Sequence, residues 1–100
     1  VSKQPLDRYE QVGGLFRVLA SPVRVAIVDL LAEREYLVHQ LVEATGLAQP
    51  LVSQHLRVLR DARLVRGARR GRVIVYALRD AHVAHIVRDA IAHTAEDGPA

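Results

Sequence analysis

The chain has 100 residues, half of them apolar and a quarter charged, with no cysteine and a net charge of +3. That length fits one domain, and the composition excludes a disordered polymer, a collagen-like repeat and a disulfide scaffold. Without cysteine there is neither a thiolate nucleophile nor a thiolate metal site.

Residues 1–5 (VSKQP) read as a flexible arm. From Leu6 to Ala20 the apolar residues Leu6, Tyr9, Val12, Phe16 and Leu19 recur at helical spacing. Gly13 and Gly14 weaken that helix, each by about 1 kcal/mol against alanine. Ser21-Pro22 is a helix start, since serine caps and proline suits the first turn. The helix that follows, Pro22 to about Glu33, is apolar nearly all round and is expected at the centre of the core. Tyr36-Leu37-Val38 reads as a short extended entry. His39 to Thr45 reads as a short helix with Leu41 and Val42 inward, stopped by Gly46.

A further helix opens at Ala48 or Gln49, has Pro50 in its first turn and runs to about Ala62. Leu51, Val52, Leu56, Val58 and Leu59 are expected to face inward. Residues 39–62 thus have the layout of a helix-turn-helix. Leu64-Val65-Arg66 and Val73 to Leu78 read as two strands joined by the turn Gly67 to Gly71. Residues 64–78 then form a two-stranded hairpin with a basic tip, a wing. The last helix, from near Asp80 to about Ala95, carries the apolar stripe Val83, Ile86, Val87, Ala90 and Ile91. The expected fold is mainly α with a small β-hairpin: one winged helix-turn-helix domain over 1–100. With one Phe and no Trp the core is thin, so a homodimer that shares burial is expected.

Charge is unevenly placed. From Arg57 to Arg72 there are seven arginines and one acid, Asp61, so this window carries +6 and the rest of the chain −3. The helix from Gln49 presents Gln49, Ser53, Gln54 and His55, side chains that can pair with base edges in a major groove, and Arg57 for a phosphate or a base. Arg69, Arg70 and Arg72 on the hairpin suit phosphates or a narrow minor groove. Helix-turn-helix plus basic wing is far more specific than either part, and double-stranded operator DNA is the expected partner.

The last helix points to a metal. Asp80, His82, His93 and Glu96 fall on one stripe at 100° per residue, with Asp80 at the helix start. His82 and His93 are about 16 Å apart along the axis, whereas zinc needs its ligands within roughly 2.0–2.2 Å. One helix cannot close such a site. Two copies running antiparallel can, with Asp80 and His82 of one chain beside His93 and Glu96 of the other. Two imidazoles and two carboxylates suit Zn2+, with Co2+ or Ni2+ as competitors, and disfavour Cu(I), Cd2+ and arsenite. His85 and Asp89 are either supporting partners, alternative ligands or simply exposed. His39 reads as structural.

These segments resemble the ArsR/SmtB family of metal-sensing winged-helix repressors. The likeness spans about Leu15 to Glu96 and is carried by Leu19-Ala20-Ser21-Pro22-Val23-Arg24, by Val52-Ser53-Gln54-His55-Leu56-Arg57-Val58-Leu59, by Gly71-Arg72 through Val75-Tyr76-Ala77-Leu78, and by Asp80-x-His82 with His93-x-x-Glu96. The resemblance implies a dimeric repressor that binds operator DNA when metal-free and releases it on binding zinc. It also implies an allosteric link from His93 to the Leu59 carbonyl and Arg63. Two departures stand out. Tyr36-Leu37-Val38-His39-Gln40 has no cysteine where many relatives place a thiolate-rich site, so arsenic or cadmium sensing is not expected. Ala48 replaces the serine that commonly caps the recognition helix, a change that costs ~0.5–2 kcal/mol.

An enzyme is not expected: four protein ligands would leave no open metal position, and no nucleophile elbow or phosphate-binding glycine loop is present. No secretory leader is read and no apolar run nears the ~18 residues of a membrane span, so a cytoplasmic protein without membrane association is expected. The alternative function is an ArsR-type regulator that does not sense metal.

Overall fold

The computed structural model describes the backbone of residues 4–97 and the side chains of residues 6–96. Helix α1 spans Gln4–Leu19, α2 Pro22–Glu33, α3 Val38–Thr45, α4 Gln49–Asp61 and α5 Ala81–Asp97. The strands are β1 (Tyr36–Leu37), β2 (Val65–Arg70) and β3 (Val73–Leu78), in the antiparallel order β1-β3-β2. Residues 1–3 of the expected arm lie outside the described residues, and Gln4 and Pro5 already belong to α1. Among the described residues no helix is long and apolar enough to cross a membrane.

The local signals work as their chemistry dictates. Ser21 caps α2 by accepting the Arg24 amide at 3.3 Å, with Pro22 in the first turn. Gly46 ends α3 at φ +72, a left-handed conformation that glycine adopts without a Cβ clash, and its N–H donates to the Val42 carbonyl at 2.9 Å. The Thr45 hydroxyl tightens the same turn, donating to the Leu41 carbonyl and accepting the Leu47 amide. The Gln40 side chain accepts the Leu37 amide at 2.9 Å and fixes the entry to α3. Ala48 is the N-cap of α4 and makes no side-chain cap bond.

The core is built from Ile27, Val28 and Leu31 of α2, Leu41 of α3, Val52, Leu56 and Leu59 of α4, and Val83 and Val87 of α5, with Leu64 and Val65 beneath. Helix α2 is central, as expected, but not buried all round: Val23, Val25 and Leu30 are half-buried and Ala26 is exposed.

Four expectations need correction. Leu51, expected inward, is exposed, because the inner arc of α4 is already filled by Val52, Leu56 and Leu59. Ala90 and Ile91, at the outer edge of the α5 stripe, are also exposed. The hairpin is part of a three-stranded sheet. Tyr36 and Leu37 pair with Tyr76 and Val75, and the buried Tyr36 ring is covered by the Arg34 guanidinium 3.7 Å from its centroid. The wing turn is not Gly67 to Gly71. Strand pairing runs through Arg69↔Ile74 and Arg70↔Val73, leaving Gly71-Arg72 as a two-residue loop with Gly71 at φ +65. Positive φ at the first central position is what the tight hairpin turns require. Gly67 serves the strand instead: a Cβ there would meet Ile74 Cγ2 at 3.1 Å and Tyr76 Cε1 at 3.2 Å.

Helix α1 keeps its helical path through Gly13-Gly14 and stands off the body. The chain extends 52 × 36 × 22 Å with a radius of gyration of 15.0 Å, against about 13 Å for a compact chain of this length. Its apolar stripe is largely uncovered: Leu6, Tyr9, Val12 and Phe16 are exposed, and Leu19 alone is buried.

Candidate functional site

Helix α4 and the wing face one another across a cleft. Gln49 and Ser53 from the first turns of α4, Arg72 from the wing loop and His39 from the first turn of α3 line it together. The floor includes Ile74 and Tyr76 of β3. Gln49, Ser53, Gln54 and Arg57 are all exposed. The arrangement places hydrogen-bonding side chains at the start of a helix beside a cation on a hairpin, which is chemically suited to a duplex edge flanked by phosphates. His39, read from sequence as structural, sits in this cleft. Its sequence neighbourhood carries no signal for that; the fold brings it there through the β1–β3 pairing that begins one residue before α3.

The arginines differ in their surroundings. Arg69 is exposed on β2, and Arg72 is exposed in the loop. Arg70 is held by Glu35, with Nη1 3.2 Å from Oε1 and Nη2 3.4 Å from Oε2. His55 also departs from its neighbours. It is half-buried, and its Nδ1 lies 3.2 Å from Arg24 Nη1.

On the opposite side lies α5. Asp80 caps it: Oδ1 accepts the His82 amide at 2.9 Å and the Val83 amide at 3.3 Å. That satisfies two of the amides every helix start leaves unpaired. His82, His85, Asp89, His93 and Glu96 are exposed on α5. Among the described residues no three of histidine, cysteine, aspartate and glutamate gather closely enough to hold a metal ion within one chain. This is what three helical turns between His82 and His93 impose on a single protomer. The donor set of Asp80, His82, His93 and Glu96 still suits zinc chemically, but it needs a second copy to complete it.

Arg88 fastens α5 to α2. Its Nε lies 3.3 Å from Asp29 Oδ1 and its Nη2 3.5 Å from Glu33 Oε1, while Nη2 also donates to the Asp29 carbonyl. Beside it, Phe16, Leu19, Val25, Ile86, Val87 and Ala90 line an apolar groove between α1 and α5. The Leu59 carbonyl accepts the Leu64 amide at 2.9 Å, and Arg63, at φ 63, is the one non-glycine residue with positive φ among those described.

Comparison with known proteins places these features in a lineage. Residues 21–66 match the family described as bacterial regulatory protein, arsR family. The chain is 52% identical over 93 residues to the HTH-type transcriptional repressor SmtB of Mycobacterium tuberculosis, covering 93% of this chain and 69% of that protein. It is 45% identical over 92 residues to the HTH-type transcriptional regulator NmtR of the same species, covering 90% of this chain and 77% of that protein. Among solved structures, the homodimeric winged helix-turn-helix DNA-binding domain of a possible ArsR-family regulator from Mycobacterium bovis superposes with a TM-score of 0.86 at 27% identity, covering 99% of this chain and 92% of that one.

Proposed function

The chain belongs to the arsR family of bacterial regulatory proteins, and from that premise we propose that it is a zinc-responsive transcriptional repressor whose metal-free homodimer binds operator DNA. The observation that carries the DNA-binding half is the shared cleft of Gln49, Ser53 and Arg72, which sets α4 and the wing on one duplex. Gln49, Ser53 and Gln54 read base edges, Arg57 takes a phosphate or a base, and Arg69, Arg70 and Arg72 grip the backbone.

The homodimer is supported by the uncovered apolar stripe of α1 and the apolar groove between α1 and α5. A symmetric pair would bury both faces and run the two α5 helices antiparallel. Asp80 and His82 of one protomer and His93 and Glu96 of the other are then the metal ligands, at two equivalent sites. Zinc, with Co2+ or Ni2+ as rivals, supplies a fixed tetrahedral link between the helices when bound. The protomer arrangement so favoured no longer sets both α4 helices to successive major grooves, ~34 Å apart. Typical couplings of ~1–3 kcal/mol give roughly 5–150-fold weaker operator binding. His93, through the Leu59 carbonyl and Arg63, is the link from the α5 site toward α4. The setting is cytoplasmic.

The test is a zinc titration of the protein bound to a duplex selected from a random library, with His93→Ala beside the wild type. Release of the wild type but not the variant is expected. Unchanged DNA affinity on adding zinc would leave an ArsR-type regulator without metal sensing, and release of the variant would refute the ligand assignment.

A further inference from the structure

Arg24 ties three helices together. It stands at the third position of α2, where its amide donates to Ser21 Oγ. Its Nε donates at 2.6 Å to the carbonyl of Val18, in the last turn of α1. That turn leaves carbonyls without intrahelical partners, and a cation there also suits the helix dipole. Its Nη1 lies 3.2 Å from His55 Nδ1 in the middle of α4. Both side chains are half-buried. A guanidinium donates and never accepts, so His55 Nδ1 is the acceptor and the ring proton sits on Nε2.

His55 lies between Gln54, which is exposed, and Leu56, which is buried. Its ring is therefore engaged by α2 on the flank of α4. We infer that Arg24 and His55 form a positioning pair that sets the angle of α4 against α1 and α2, and that His55 supports operator affinity through that angle and not by reading a base. The inference rests on the DNA-reading role of α4. It adds a direct connection from α1, the helix with the uncovered apolar stripe, to the recognition helix.

The experiment uses the full chain and a duplex that the wild type selects from a random library. Arg24→Ala, His55→Ala, the double variant, His55→Asn and His55→Gln are compared by fluorescence anisotropy below their melting transitions. An asparagine Oδ1 falls near the place of Nδ1 and can accept from Arg24, whereas a glutamine amide reaches toward the place of Nε2. Each alanine variant is expected to bind roughly tenfold or more weakly, the range for a lost hydrogen bond to a charged group. The double variant should be within about threefold of either single, because the two act as one unit. His55→Asn should recover most of the affinity and His55→Gln should not, with the selected sequence unchanged. In 15N spectra the Nδ1 signal of His55 should report an unprotonated acceptor and should shift in Arg24→Ala.

Additive losses, a changed base preference in His55→Ala, or rescue by glutamine and not asparagine would make His55 a base reader and overturn the positioning role. If the wild type selects no duplex, the DNA-reading role itself fails, a result distinct from any of these.

Discussion

Phe16→Ala tests the shared interface directly. An aromatic side chain offers roughly 150–250 Å2 of surface. Phe16 is 54% exposed in the protomer, so about 100 Å2 is left for a partner to cover. At about 25 cal/mol per Å2 that is about 2.5 kcal/mol per protomer, and two-fold symmetry counts it twice. Burial at an interface is incomplete and alanine keeps one methyl, so half of the total, about 2.5 kcal/mol, is a fair expectation. The dimer Kd should rise on the order of 70-fold. Sedimentation equilibrium over a concentration series reads this, with circular dichroism confirming that the helices persist. Tyr9→Ala, at a position 64% exposed, should weaken the dimer similarly and disturb the protomer less. If both variants dimerise within about threefold of the wild type, the α1 stripe is not the interface, and the antiparallel α5 pair loses its main support.

Gly46→Ala should cost about 1–2 kcal/mol, because φ +72 is sterically unfavourable for a Cβ although nothing stands within 4 Å of it. At fixed protein concentration that lowers Tm by roughly 4–8 °C per kcal/mol, and Gly46→Asn should recover part of the loss; equal melting of glycine and alanine forms would contradict the turn argument. Asp80→Ala should lose about 0.5–2 kcal/mol of stability with the N-cap, whereas Asp80→Asn keeps the cap. Both should weaken zinc binding in a competition titration, so an Asn variant with wild-type zinc affinity would remove Asp80 from the ligand set. Arg72→Ala should reduce the slope of log K against log salt by about 0.9, the value for one lost phosphate contact. Arg70→Ala should reduce it less, since Glu35 already neutralises Arg70 at 3.2 Å, and equal slopes in anisotropy titrations would speak against that difference.

Much of the fold was legible because its punctuation is local. Ser21-Pro22, Gly46 and the β-branched run from Val73 act within a few residues of themselves, and each element sits within a few residues of its expected place. What escaped the sequence depends on distant partners. Strand β1 has two residues, too few for a periodic signal, and exists because β3 offers an open edge. Gly67 and Gly71 look alike in sequence, yet one lies under Ile74 and Tyr76 and the other turns the chain. His55 and Arg24 are 31 positions apart, so the polar side of α4 gave no hint that one of its members is turned toward α2. Likewise Arg70 reads as a free tip charge until Glu35, 35 positions away, is seen beside it. The α5 ligand set is a different case. Its stripe could be read from 100° spacing, but a stripe longer than a coordination sphere has no meaning within one chain.

Magnitudes also decide how a change at α5 can reach α4. The Arg88 contacts to Asp29 and Glu33 are exposed ion pairs, each worth about 0–1 kcal/mol, and would yield easily if they alone held α5. Val83 and Val87 are buried against the core that α2 anchors, and drawing both out would cost about 3 kcal/mol or more. Helix α5 therefore moves with α2. Helix α2 in turn shares its buried face with Val52, Leu56 and Leu59 of α4, none of which has space to slide independently in a close-packed interior. A strain imposed between two α5 helices is then relieved most cheaply by rotating whole protomers about their interface. In the repressor reading, operator release follows from the changed distance and angle between two intact recognition helices, with each protomer's internal fold preserved.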